Sequence, residues 1–305
     1  MNGLRNSAGL KVHKKVGKSS VKLHMKNKKV SVIVTTKNEE RNILNCLQSI
    51  KKQSYKNIQI IVVDNNSTDK TIKIAKRFTR FVYNIGPERS AQRNFGGKKS
   101  SGEFVMFIDA DMILRKDVVS ECVDIFKTNK SRIGGVIIPE ESFGTGFWTK
   151  IKAFERSFYI GDNLIEAARF YPKKVFHSIR GFDESITGPE DWDLSEKVGH
   201  KYKLARINSL IMHNEGEIQV IKLLKKKYYY FKKLPEYLKN SSKRNMSYGS
   251  SLQRFVFFLR PGFRKKWYRL LFHPVLTAAL VFLLTAESIA AGLGLIAGLR
   301  KGNAK

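Results

Sequence analysis

The run Ile58-Gln-Ile-Ile-Val-Val-Asp64 constrains this chain more than any other segment. A strand with one face in water alternates apolar and polar residues, whereas this run is apolar almost throughout, so both of its faces must be covered. That is the condition of an inner strand in a sheet packed between helices. Val30–Thr36 is a second β-branched run, followed by Ile43, Leu47 and Ile50 at helical spacing. After Asp64, Asn66 or Ser67 can cap a helix whose apolar face is Ile72, Ala75 and Phe78. Further strands are expected at 80–84, 104–109 and 136–139, with helices near 90–98 and 117–128. This β-α-β-α rhythm predicts an α/β fold with a mainly parallel central sheet and flanking helices.

Charge divides the chain. The 305 residues carry a net charge of +31, but the excess is peripheral. Residues 1–30 hold nine Lys/Arg and no acid, and residues 221–270 hold fifteen against Glu236 alone. Such runs suit nucleic acid or an anionic membrane surface. The stretch from Pro274 to Leu299 favours the membrane: 26 residues contain one charge, Glu287, and are long enough to span a bilayer. An acid at mid-bilayer costs about 2.5–3.5 kcal/mol, small residues crowd the positions after it, and cations stand at both ends. These features favour two half-length helices in a re-entrant or interfacial hairpin over one span; a buried C-terminal helix of a soluble oligomer is the third reading. Ahead of it, segments 254–260 and 266–272 mix aromatics with cations, as interfacial helices do. Residues 1–29 lack the roughly 7–15-residue apolar core of a signal peptide. Four parts result: a basic extension (1–29), an α/β domain (30–215), a basic amphipathic region (216–270) and an apolar membrane segment (271–300). Cys46 and Cys122 lie in apolar helical patterns, which argues for core residues and against a disulfide or cysteine-zinc scaffold.

In open α/β sheets ligands bind at the carboxyl ends of strands. Three predicted strands here end in polar clusters: Thr36-Lys-Asn-Glu-Glu40, Asp64-Asn-Asn-Ser-Thr-Asp69 and Asp109-Ala-Asp111. An isolated Asp-x-Asp is usually a solvated turn. Two carboxylates at the end of a buried strand instead call for a cation, and oxygen ligands suit Mg²⁺ or Mn²⁺ bridging to phosphate.

These clusters, with Arg93-Asn94, Ser101-Gly-Glu103, Gly181-Phe-Asp-Glu184 and Glu190-Asp-Trp-Asp-Leu194, resemble the family 2 inverting glycosyltransferases of the GT-A fold in order and spacing over roughly residues 30–215. Thr35-Thr36 and Asn65-Asn66 depart from commoner family residues and bear on which base is read. The resemblance implies a Rossmann-like GT-A domain using a nucleotide-sugar. Glu39 or Glu40 and Asp64 would bind base and ribose, with Thr35 at the base slot. Asp109 and Asp111 would hold a divalent cation, Mn²⁺ or Mg²⁺, on the diphosphate, with His213 as a further ligand or a structural histidine. Arg93, or less directly Arg89, would neutralise the phosphates, since a guanidinium binds phosphate bidentately. Asp191 would be the catalytic base, oriented by Glu190, with Trp192 stacking on an acceptor sugar beside loop 181–189; alternatively these acids only charge the first turn of a helix.

The resulting expectation is a metal-dependent inverting hexosyltransferase at the cytoplasmic face of a membrane, acting on a lipid-linked saccharide or cell-envelope glycan. The cytoplasmic side follows from cytosolic nucleotide-sugars and the basic flanks of the apolar segment. A polyprenyl-phosphate sugar synthase is the alternative, disfavoured because a phosphate acceptor needs no base such as Asp191. A nucleic-acid-binding protein is the distant one: Tyr228-Tyr-Tyr-Phe231 between lysines suits base stacking, but it explains neither the acidic strand ends nor the apolar tail.

Overall fold

The computed structural model describes residues 28–128, 132–163, 165–186, 188–242 and 261–303. The basic extension up to residue 27 and segment 254–260 lie outside them. Ten strands form two sheets among the described residues. The larger contains β1 (Val30–Thr36), β2 (Ile58–Asp64), β3 (Val82–Asn84), β4 (Phe104–Asp109), β6 (Ile133–Ile137), β8 (Ala168–Pro172) and β9 (Lys203–Arg206), in the order β3-β2-β1-β4-β8-β6-β9. All pairings are parallel except those of β8 with β4 and β6. Val32, Val34, Val62 and Met106 pack on one side and Ile33, Ile61, Val63 and Phe107 on the other. The dense apolar runs are therefore inner strands with helices on both faces.

Those helices are α1 (Ile43–Lys51), α2 (Thr71–Ala75), α3 (Arg89–Lys99), α4 (Val118–Thr128), α6 (Lys173–Ser178) and α7 (Glu190–Gly199). Cys46 and Cys122 are buried free thiols. Helix α3 lies close to β1 because residue 96 has no side chain; a Cβ there would run into Ile33 Cγ2. Neither Asn66 nor Ser67 caps α2. Asn66 adopts φ +51°, Ser67 bonds Asp64 instead, and the Thr71 N–H is taken by Asp69 Oδ1 at 2.9 Å. The smaller sheet, β5 (Met112–Leu114), β10 (Ile211–Glu217) and β7 (Glu140–Thr145), carries the chain from the end of β4 to helix α5 (Phe147–Ser157).

Beyond β10 the chain adds α8 (Val220–Ser242), α9 (Pro261–Lys266), α10 (Arg269–Phe272) and α11 (Pro274–Asn303). The apolar stretch is thus one continuous helix, not the hairpin of two halves expected from its sequence. Glu287 is 2% exposed, and its carboxylate accepts from Lys152 of α5 at 2.6 Å and Lys227 of α8 at 2.9 Å. The small residues make a helix crossing, not a turn: a Cβ at Gly294 would meet the Tyr228 carbonyl, and one at Gly298 the Lys232 carbonyl. The matched four-residue steps mean that α8 and α11 run parallel here, in the close approach that Gly-xxx-Gly permits. Leu280 and Leu283 pack with Ile151, Phe154 and Phe158, so α11 is docked on the rest of the fold through α5 and α8.

Since Gly96 lets α3 approach β1, Gly96→Val should overpack that contact. We expect a loss of about 1–3 kcal/mol in urea unfolding, against a change within about 0.5 kcal/mol for the neighbouring surface change Lys98→Ala.

Candidate active site

The loops after β1 and β2 brace one another. The backbone N–H groups of Asn38, Glu39 and Glu40 donate to Ser67 Oγ, Thr71 Oγ1 and Asp69 Oδ2 at 2.7, 2.7 and 3.0 Å, while Glu40 Oε2 accepts from the Lys70 N–H at 3.1 Å. Asp64 is fully buried and takes Thr36 Oγ1 at 2.6 Å, Ser67 Oγ at 2.5 Å and the Ser67 N–H at 2.7 Å. Much of the polar character of these two clusters therefore serves the loops themselves. Glu39 is the exception, for its carboxyl accepts from Asn42 at 2.8 Å and lies in the field of Asp109 and Asp111. Burial raises its pKa, Asn42 opposes this, and the aspartates add to the rise. Gln92 of α3 bonds the carbonyls of Thr36 and Val63 at 3.0 and 2.7 Å, fixing the helix to both strand ends.

The centre of the site is Arg93, fully buried on α3. Its Nη2 bonds Asp109 Oδ1 at 2.9 Å, and its Nη1 bonds Asp191 Oδ1 at 2.7 Å and Glu190 Oε1 at 3.3 Å. Thr35 Oγ1 also donates to Asp109 Oδ1, at 2.8 Å. One guanidinium thus joins the end of β4 to the first turn of α7. Arg93 is expected at phosphate from its sequence context; here protein carboxylates occupy it. Arg89, one turn earlier, keeps 42% of its side chain exposed, with Nη1 3.8 Å from Asp109 and Nη2 3.3 Å from Glu190. Of the two cations Arg89 is the one open to an incoming anion. Burial opposes ionisation of Asp109, but Arg93, Arg89 and Arg169 hold it well below the usual carboxylate range. Glu190 differs: burial and the Asp191 charge raise it, against Arg89 and Arg93. Its side chain is 3% exposed and that of Asp191 24%, so Asp191 is the accessible member of the pair.

On the other side, His213 of β10 places Nε2 3.2 Å from Asp111 Oδ2 and Nδ1 3.6 Å from Glu140 Oε2. Burial would depress this imidazole, but Asp111 and Glu140 raise it to about 10, so a cation that took it as a ligand would have to displace its proton. Burial would likewise raise Glu140, yet Arg169 and His213 bring it to about 2. Arg156 of α5 pairs with Glu215 at 2.6 Å beside them. Trp192 donates its indole N–H to the Ile165 carbonyl at 2.7 Å and is half-buried.

Among the described residues no three His, Cys, Asp or Glu side chains converge as a ready-made metal cluster, because Asp109 turns toward Arg93. The site nevertheless fits a divalent cation: Asp111 Oδ1 is buried without a hydrogen-bond partner, an orphaned anionic oxygen next to His213. Such a position, with one or two carboxylates and the rest of the shell left to phosphate and water, is what Mg²⁺ commonly uses. Arg169, Glu140, Arg156 and Glu215 are site residues that the sequence pattern does not single out. None of them belongs to a recognisable motif, and only the fold brings them together.

The chain is 28% identical over 213 residues to the glycosyltransferase GlyA of Streptococcus pneumoniae, covering 66% of this chain and 28% of that protein. It spans well under half the length of the curated relatives it matches first. Among solved structures it is similar to a mannosyltransferase of Pyrobaculum calidifontis in complex with GDP-Man and Mn²⁺, with TM-score 0.53, 17% identity, and coverage of 91% of this chain and 80% of that one. It is also similar to S. aureus TarS in complex with UDP, with TM-score 0.50, 18% identity, and coverage of 91% and 92%. These two likenesses establish a shared GT-A-like α/β fold. Residues 31–182, from β1 through the Gly181-Phe182 turn, match the family model for glycosyl transferase family 2, and the chain carries a domain of that family.

Proposed function

We propose that this protein is an inverting glycosyltransferase that moves a sugar from a nucleoside-diphosphate sugar to a membrane-associated acceptor at the cytoplasmic face. The observation that carries the reading is the sharing of Arg93 between Asp109 and Asp191, which sets an accessible carboxylate beside the strand-end acids. Asp191 takes the proton of the acceptor hydroxyl. The acceptor oxygen bonds to the anomeric carbon from the face opposite the diphosphate. The sugar–phosphate bond breaks, and its electron pair leaves with the nucleoside diphosphate. Direct displacement of this kind inverts the anomeric centre. Asp111 and His213, with Asp109, would hold a divalent cation, which when bound offsets the negative charge of the departing diphosphate. Arg89 supplies a protein cation to the same phosphates, Glu39 and the Thr35 backbone line the nucleoside side, and Trp192 flanks the acceptor.

The membrane part rests on the outer face of α11. Val275, Phe282, Ile289 and Ile296, spaced by seven, are each at least half exposed, as are Leu293 and Leu299. The single acid faces inward to two lysines, and the exposed Thr285 and Ser288 hydroxyls donate to carbonyls one turn back. The outward surface therefore offers hydrocarbon and almost no free polar group, continued by Leu271, Phe272, Trp267 and Tyr268. An exposed apolar patch of this extent suits a lipid surface. With α5 and α8 packed along its inner face, α11 lies on the leaflet rather than crossing it.

Three measurements test these statements. In a binding and hydrolysis screen of UDP-, GDP- and dTDP-sugars with Mn²⁺, one nucleotide should bind and its sugar be released, with turnover lost in excess EDTA; binding of none overturns the proposal. Asp191→Asn should keep near-normal donor affinity and lose about 10²–10⁴-fold in rate, whereas Asp111→Asn should weaken donor binding. The protein should stay with membranes through a high-salt wash, and Phe282→Lys with Ile289→Lys should release it, because burial of apolar residues is not screened by salt. A parent protein that washes off in salt removes the lipid contact.

A further inference from the structure

The two oxygens of Asp191 are held differently. Oδ1 accepts from Arg93 Nη1 at 2.7 Å, a charge-assisted hydrogen bond. Oδ2 faces Arg169 Nη2 at 3.8 Å, too long for a hydrogen bond yet close enough for the two opposite charges to attract. Arg169 stands on β8, is 8% exposed, and donates from Nε to Glu140 Oε1. Glu140 is fixed in turn by His213, and His213 by Asp111. Two chains of alternating charge thus run from the base to the 109–111 turn, one through Arg93 to Asp109, the other through Arg169, Glu140 and His213 to Asp111.

We propose that Arg169 is a positioning residue that fixes the Asp191 carboxylate with Oδ2 as the oxygen that takes the acceptor's proton. Oδ1 has its strong donor already. Oδ2 is stabilised by a neighbouring cation and keeps its lone pairs for the incoming hydroxyl. Without Arg169 the carboxylate is tied by Arg93 alone and can swing about that bond, which moves Oδ2 from the line of attack. An error of about 1 Å in such a group can cost about 100-fold. The proposal rests on the reading of Asp191 as the base.

The test uses the full chain with the nucleotide-sugar found in the screen, and calorimetric titration with the matching nucleoside diphosphate. Arg169→Met, which keeps length and removes charge, should lower kcat by about 10–100-fold and leave donor KM and nucleotide affinity within about twofold. Arg169→Lys should recover part of the loss. Glu140→Gln, which loosens Arg169 without removing it, should lower kcat in the same direction by less. A wild-type kcat in Arg169→Met overturns the proposal, as does a parallel fall in kcat and nucleotide affinity. Should Arg169→Met fail to show a cooperative melt, a folded Glu140→Gln with unchanged kcat overturns it equally. An inactive Asp191→Asn beside a fully active Arg169→Met sinks this inference alone, whereas an active Asp191→Asn removes the base reading and this inference with it.

Discussion

A guanidinium with no exposed surface decides how this site is built. Burying a charge costs several kcal/mol unless partners compensate, and Arg93 has three: Asp109, Asp191 and Glu190. The carboxylates come from two distant places in the chain, one from the end of β4 and two from the first turn of α7. None of the acids could be packed so close to the others without the cation, and the cation could not be buried without the acids. Arg89 and Arg169 extend the same logic outward, so that four acids and three arginines form one connected group. Removing a single member leaves its partners uncompensated in a low-dielectric setting, where the loss is larger than the pair's own contribution.

The sheet was legible because burial on both faces leaves a mark on composition. Val30–Thr36, Ile58–Asp64 and Phe104–Asp109 emerge with the boundaries read from their apolar runs, since an inner parallel strand has no polar face to blur its ends. The strand expected at 136–139 shifts to 133–137, because Gly134 and Gly135 carry no apolar signal although Tyr202 and Tyr171 crowd against them. The cap of α2 was misjudged because local pattern shows which side chains can bond a helix terminus and not which other loops compete for them. Asp64 claims Ser67, and Asp69 does the capping.

For the site, sequence order placed the acids in the right neighbourhood, but not their partners. Arg93 reads as a phosphate ligand when only its own helix is visible, and as the tie between two acidic segments once α7 is folded beside it. Arg169 and Glu140 belong to short strands whose pairing is antiparallel or confined to the smaller sheet, and no periodicity picks out one charged residue there. Conversely, the acids and amides of the 36–40 and 64–69 loops look like a binding surface in sequence and are largely spent on holding those loops together.

The C-terminal helix follows the same rule with the surfaces exchanged. In a water-soluble helix the charge faces out and the hydrocarbon in; in α11 the one acid points at Lys152 and Lys227 while Phe282, Ile289 and Ile296 point away. Hydrophobicity alone could not resolve this, because both faces of α11 are apolar and only the position of Glu287 and of two glycines distinguishes them. Read as a flaw in a membrane span, Glu287 suggests a turn. Paired with lysines from α5 and α8, it becomes the polar contact that fixes which face is turned to the protein, and by exclusion which face stays exposed. The same contact ties α11 to α8 and to α5, whose Arg156 lies 3.2 Å from His213, so the surface proposed to meet the membrane is linked through α5 to the strand that carries His213.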